Sequence, residues 1–524
     1  MQDEFKIGRA LKITAALRID HNANPQCDTN CFARLTDPWN SLTHDANVPY
    51  NQVIKTGLHE AYPATDSIVW QPRIGFAWSP LSSDKTVFRG GIGIFTDTFP
   101  ATVVDNFSEN SPLENTFTVG NAPISPAETN NLFAIASGAN SSFLNAFNQG
   151  GTLASISASN PYFVPPGFTS SDASIRQPRY YEWNFELQQA LPSQLILDIN
   201  YVGNHGIYEA IQNNSVNAFC ALDTCTSGFL GLPASAPDPR FGTVNALQSS
   251  ATSRYNGVVV RLSRAFSRGL LFSANYTWSH AQDVVSNGGF LPFSYATNES
   301  EIYAQNPYRL SNSYGDADYD VRHYFSANYV WDDALRHIFS WGPNAIFSGW
   351  TLSGTIFARS GLPFTAVDSA AYDTLASDNF GGVLYAVPLG NVTSSCGKGA
   401  AGPQGVPCVD PNLFEPSTTS PTGFSALGKN TFRGPMYFDT DFTVMKSFVI
   451  PKWESGKLAV GLQFYNLFNH PNFDQPVNDI ANTNPTNGFG DITHTVNTPT
   501  SILGSFLGGD ASPRLIQLKA QLTF

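Results

Sequence analysis

RLIQLKAQLTF, residues 514–524, closes the chain. Ile516, Leu518, Ala520, Leu522 and Phe524 are apolar, and Gln517, Lys519, Gln521 and Thr523 alternate with them. A period of two places the two sets on opposite faces of a β-strand. Such a strand needs apolar surroundings for one face and water for the other.

The pattern recurs along the chain. In residues 10–20 Leu11, Ile13, Ala15, Leu17 and Ile19 alternate with Lys12, Thr14, Arg18 and Asp20. Tyr181, Trp183, Phe185 and Leu187 alternate with Glu182, Asn184, Glu186 and Gln188. GLLFSANYTWSH (269–280) and KLAVGLQFYNLF (457–468) read the same way, as do runs near 71–80, 86–96, 194–203, 256–266, 322–332, 350–360 and 438–449. The alternation therefore predicts about twelve strands of roughly ten residues, the length of a tilted membrane crossing.

The connections alternate in length. Short links span LSSDK (81–85), LPS (191–193), SR (267–268) and IPKWESG (450–456), with a middling one at 333–349. Long polar loops occupy 21–69, 97–177, 204–254, 281–320, 361–436 and 469–512. Loops of this length are rare in a compact soluble domain. Short turns on one side and long loops on the other match an antiparallel transmembrane β-barrel, with an apolar face ending in aromatic residues towards lipid and a polar face towards a wet lumen. A surface array of β-sandwiches explains the strands taken alone, and the loop asymmetry decides for the barrel.

Composition agrees. Charged residues make up 13% of the 524, aromatics another 13%, and Gly and Pro number 42 and 35, which suits turns and loops. The net charge of -13 argues against a nucleic-acid partner. No window reaches 18 consecutive apolar residues, so no spanning helix is expected, and MQDEFKIGRA lacks the apolar core of a secretory signal. The six cysteines fall into three close pairs, Cys27 with Cys31, Cys220 with Cys225, and Cys396 with Cys408. Local disulfides stapling loops in an oxidising compartment are expected. Metal ligation is the competing reading, but no histidine or further cysteine is near enough to complete a four-ligand set.

The last strand, with Leu522 and Phe524, resembles the C-terminal signal by which outer-membrane barrels meet their insertion machinery. PRIGFAWSPLSSDKTVFRGGIGIFTD (72–97), YYEWNFELQQALPSQLILDINYVGNHG (180–206), YNGVVVRLSRAFSRGLLFSANYTWSHAQD (255–283), GDADYDVRHYFSANYVW (315–331) and FYNLFNHPNF (464–473) resemble the barrel of Oar-like TonB-dependent receptors. The resemblance implies a Gram-negative outer-membrane location, a barrel of about 22 strands in the whole receptor, and energised uptake of a siderophore, saccharide, peptide or metal complex. Family members carry a signal peptide, a carboxypeptidase-regulatory-like domain, a TonB box and a plug ahead of the barrel. Residues 1–524 have no counterpart of these. They are expected to be the C-terminal portion of the barrel, MQDEFKIGRALKITAALRID being the end of one strand, a turn and the next strand. Lipid and the insertion machinery are the expected partners, and the TonB system would act only through the plug. No cofactor and no enzymatic activity are expected. A surface structural or adhesion barrel and a passive pore are the alternatives, and either an open curved sheet or a smaller closed barrel fits the strand number.

Other motifs have bland readings. Asp316, Asp318 and Asp320 have the alternate spacing of a calcium loop, but the sixth position lacks Gly and Ala327 stands where a bidentate Glu belongs. A structural ion pair with Arg322 and His323 is expected instead. His21, His44, His59 and His205 read as surface histidines, and GFSALG (423–428) lacks the spacing of a nucleophile elbow. GGIG (90–93) reads as a strand segment whose glycines relieve crowding, and NHPN (469–472) as the end of a strand. Tyr303, Tyr308, Tyr372 and Tyr385 either contact a ligand or pack loop on loop.

Overall fold

The computed structural model describes residues 2–66, 68–80, 85–98, 101–119, 131–220, 229–286, 304–339, 341–370, 384–396, 407–451, 456–485, 488–492, 495 and 513–524. Thirteen strands follow one another in an antiparallel meander: β1 (Gln2–Ile7), β2 (Leu11–His21), β3 (Ile68–Trp78), β4 (Thr86–Thr96), β5 (Arg179–Leu191), β6 (Leu195–Asn213), β7 (Val244–Ser267), β8 (Leu270–Asp283), β9 (His323–Trp331), β10 (Trp350–Arg359), β11 (Tyr437–Val449), β12 (Lys457–Tyr465) and β13 (Leu515–Thr523). Two short strands, Phe168–Ser171 on β7 and Gly315–Asp316 on β8, complete a 15-stranded sheet. Twelve of the thirteen fall where the alternation predicts them, and β1 is the strand end read in the first residues.

Register aligns the apolar sets from strand to strand. Phe5 lies opposite Ile13, and Ile13 opposite Phe76. At the other end Phe442, Phe464 and Ile516 form one row, and Val444, Leu462 and Leu518 another. This face is not a protein core: Trp70, Ile92, Trp278 and Phe524 are all exposed. A continuous apolar surface across a whole sheet has lipid as its natural solvent. Gly90 has a packing reason within it, since a Cβ there would come within 2.7 Å of the Phe76 ring. The shortest turn is built by Arg268 (φ 50°) and Gly269 (φ 79°), the paired positive φ of a tight hairpin.

The ends of β6, β7, β8 and β12 differ from the alternation. β6 and β7 extend to Asn213 and back to Val244, so the loop between them runs over 214–243 rather than 204–254. The periodicity is lost there because the pairing is irregular at Ser249, Ala251 and Ser253, and because Ile211, Val244 and Leu247 are buried by loops. β8 likewise continues to Asp283. β12 stops at Tyr465, short of the predicted Phe468. Asn466 takes φ 48° and its amide closes on His470, with the His470 N–H donating to Asn466 Oδ1 at 2.9 Å.

The described parts of the long loops are folded. Those after β2, β4 and β6 share a core of Trp39, Tyr50, Phe143, Phe147, Ile156 and Phe241. The helices α1 (Leu132–Asn148) and α2 (Leu153–Ser159) carry part of it, α2 opening on a Thr152/Ser155 capping box. The loops after β10 and β12 form a second core around Phe364, Val367, Tyr385, Phe414, Phe432 and Phe489. Ala218, Leu230 and Leu384 form a smaller cluster joining the loop after β6 to the loop after β10. Cys27 is bonded to Cys31 (Cα–Cα 5.8 Å) and Cys396 to Cys408 (4.4 Å). Cys220 is also disulfide-bonded, and Cys225 lies outside the described residues. On the opposite edge, the 333–349 link forms two short helices, Ala334–Ile338 and Asn344–Phe347. It presents an exposed Trp341 beside Phe339 and Phe347, ring centroids 6.2 and 5.9 Å away.

Candidate functional site

The polar face is the one available to an aqueous ligand. Two cavities lie on it. The first, of about 620 Å³, is touched by Gln2 of β1, Thr14 of β2, Arg73 of β3, Gly91 of β4, Asn184 of β5, Asn200 of β6 and Tyr255 of β7. Seven consecutive strands laid flat would span about 29 Å. One cavity bordered by all of them therefore runs across the wall as a trough. The second, of about 540 Å³, lies higher, between the strand ends and the loops. Tyr180, Glu209 and Ser253 belong to its wall, and Asp97, Ser286 and Tyr319 to its loop side.

An ion-pair network fixes the loops above these cavities. The GDADYDVRH segment crosses the end of β8. His280 Nε2 lies 2.6 Å from Asp316 Oδ1, and Arg322 Nη2 lies 3.0 Å from Asp316 and 3.3 Å from Asp320. Arg433, from the loop after β10, meets both carboxylates as well. Alongside, Lys429 pairs with Asp283 and stands 3.8 Å from Asp318, whose carboxylate accepts from Asn430 Nδ2 at 2.7 Å. Burial pushes the Asp318 carboxyl above its usual range against the pull of Lys429. Burial and the neighbouring carboxylates of Asp283 and Glu209 push the Tyr319 hydroxyl up. His280, Asp316 and Asp320 converge closely enough to share a metal ion. However, two guanidinium groups already neutralise the two carboxylates, which leaves no net negative charge to hold one. The expected structural ion pair at Arg322 is present, while His323 turns away to Tyr276, its Nδ1 2.8 Å from the hydroxyl.

A second network sits inside the first loop core. Arg240 and Asp238 are fully buried. Arg240 Nε and Nη2 donate to the Asp238 carboxylate at 2.9 and 2.6 Å, and further donors reach the carbonyls of Val48 and Thr43. Tyr50 Oη donates to the Arg240 carbonyl at 2.5 Å. Three histidines noted in the sequence are held by nearby groups: His44 by Asp238 (3.2 Å), His59 by the Cys27 carbonyl (2.9 Å), and His205 by the Ser253 carbonyl (2.9 Å). His21 closes β2. Tyr308 Oη donates to the Ser215 carbonyl at 2.6 Å and Tyr385 is buried in the second loop core, so both pack loop on loop. Tyr303 and Tyr372 lie outside the described residues. Sequence reasoning missed Arg433, Lys429 and Arg240. Arg433 and Lys429 meet their partners across more than a hundred residues. For Arg240 the PDPR spacing was a usable local signal.

Residues 1–517 match a family model described as an outer membrane beta barrel domain. The chain belongs to this family. Its apolar face is therefore the lipid face, and the protein resides in the bacterial outer membrane. No match is found among curated proteins. Among solved structures the barrel is similar to the outer membrane transporter YddB of Escherichia coli, at 9% identity and a TM-score of 0.41, covering 98% of this chain and 45% of that one. It is also similar to the ferripyoverdine receptor of Pseudomonas aeruginosa (8%, 0.39, 100% and 38%) and to the FrpB iron transporter of Neisseria meningitidis (10%, 0.39, 100% and 43%). The chain spans less than half the length of each.

Proposed function

We propose that residues 1–524 form the barrel domain of an Oar-like TonB-dependent receptor that takes up a ligand across the outer membrane. The observation that carries this reading is the upper cavity, walled jointly by loop residues and strand residues. It borders both the long loops and the polar face of the sheet, where a route inward from the loops would begin. In this reading the long loops face the outside and capture the ligand, and the barrel wall guides it. The plug and TonB box that the family resemblance implies couple passage to the proton gradient. The same reading makes Leu522 and Phe524, both exposed on the lipid face, the insertion signal. Deleting Phe524 is expected to lower the amount of heat-modifiable barrel in outer-membrane fractions at unchanged synthesis, and an unchanged amount refutes that role.

The uptake reading is tested in the native host with and without the gene, offering ferric citrate, cobalamin, maltoheptaose and a hexapeptide in labelled form. The expected result is accumulation of at least one probe that requires the gene and collapses with a protonophore. Gene-dependent entry that survives the protonophore makes the barrel a passive pore. Loss of surface attachment with no change in any probe makes it an adhesion barrel, which the disulfide-bonded folded loops would also suit.

A further inference from the structure

We infer that the lower cavity is a binding trough for a neutral, hydroxyl-rich ligand, of the saccharide class, on the lumen wall formed by β1 to β7. The inference rests on the uptake reading above and names the ligand class for it. Its basis is the cross-strand register. One row of the polar face runs Gln2, Ala16, Arg73, Gly93, Glu182, Asn204, Tyr255. The next runs Glu4, Thr14, Gly75, Gly91, Asn184, Val202, Gly257. Four glycines and an alanine thus fall together, and four of these five residues, Ala16, Gly75, Gly91 and Gly93, line the cavity.

The glycines also let the bordering groups lie flat. A Cβ on Gly93 would come within 2.9 Å of Arg73 Cγ and 3.1 Å of the Phe95 ring. Arg73 instead lies along the wall with its guanidinium 4.1 Å from the Phe95 centroid. On the other side a Cβ on Gly257 would meet the Tyr255 hydroxyl at 2.7 Å. The trough therefore has flat aromatic borders and an amide floor. Asn184 has Asn204 and Asn200 as its diagonal neighbours on β6, within about 7–8 Å. An amide presents both a donor pair and an acceptor, as a hydroxyl does.

Charge and hydrogen-bond demand narrow the class. Around the trough Lys12 is paired with Glu4 (2.6 Å) and Arg89 with Glu186 (3.0 Å), while Arg73 and Glu182 stand opposite each other across Gly93 with opposite sign. The wall is locally neutral and offers no cationic surface to an anionic chelate. Among the described residues two buried polar atoms here have no protein partner: Asn200 Oδ1, an acceptor, and Arg73 Nε, a donor. A ligand that both donates and accepts, without net charge, answers both. The volume of about 620 Å³ is within the range of roughly 300–1,000 Å³ usual for small-molecule sites.

The test uses the protein purified from outer membranes in an amine-oxide detergent, which carries no sugar, on an array of neutral, sialylated and sulfated glycans. Titration calorimetry follows on the best neutral oligosaccharide. Neutral glycans are expected to bind in preference to charged ones. The Asn184→Leu/Asn200→Leu double substitution should weaken binding at least tenfold, and Gly91→Val should abolish it. Thr443→Leu, on the polar face of β11 away from the trough, should leave it unchanged. Heat-modifiable mobility confirms that each variant is folded. Binding to no neutral glycan, or binding that ignores the Asn184/Asn200 pair, overturns the inference. If another probe class is still taken up by cells, the uptake reading stands without the saccharide assignment. If amide-dependent sugar binding holds while uptake fails, the trough stands and the transport reading falls.

Discussion

Leu518 and Phe143 are both large apolar side chains, yet Leu518 is 83% exposed on β13 and Phe143 is 1% exposed between α1 and the loop after β2. The difference divides the molecule. In the wall the apolar residues point away from the protein, and the backbone ladder pairs neighbouring strands continuously from β1 to β13, as a lipid surrounding favours. In the cap the same residue types point inward, packing ring on ring: Phe143 stacks on Phe163 at 5.5 Å and meets Tyr50 edge-on at 6.2 Å. The wall thus takes its stability from hydrogen bonding and lipid. The cap takes its stability as an ordinary water-soluble domain does, at about 1.5–3 kcal/mol for each large side chain buried.

The comparison is sharpest where each region is least tolerant. Arg240→Met should be the largest effect, because it leaves the fully buried Asp238 carboxylate without its guanidinium, a loss of about 3–5 kcal/mol. Hydrogen exchange should report it as lost protection across the loops after β2, β4 and β6, with the strands of the sheet unaffected. Lost protection spreading through the wall would mean that cap and wall are one cooperative unit. Leu518→Arg comes next, at about 2–4 kcal/mol for a cation placed in the lipid band, measured by urea-dependent folding into phosphatidylcholine vesicles. Its neighbour Gln517 looks the other way, and Gln517→Arg should stay within about 0.5 kcal/mol in the same assay. Equal costs for the adjacent pair would erase the two-faced wall.

Much of this was legible in the residues themselves. The alternation in KLAVGLQFYNLF located β12 and its lipid-facing Leu458, Leu462 and Phe464, because side-chain direction in a strand is set by the backbone and repeats every two residues. The same rule overran at Asn466, where a single positive φ ends the strand without any change in composition. The extensions of β6 and β7 were hidden for a related reason. Above the membrane neither face meets lipid, and Ile211 and Leu247 are apolar because loops cover them.

By itself, then, the sequence determined the meander, its hairpin order and the face that meets lipid, all of which follow from the local period of a strand and the lengths of its connections. Only the tertiary structure decided which loops fold together, that Arg433 and Lys429 close on the aspartates at and beyond the end of β8, and that Gly75, Gly91 and Gly93 line up into one trough. Those outcomes depend on register and on contacts between residues far apart in the chain. A pairing shift of one residue would leave the local pattern of each strand intact while scattering the glycines and reversing the faces.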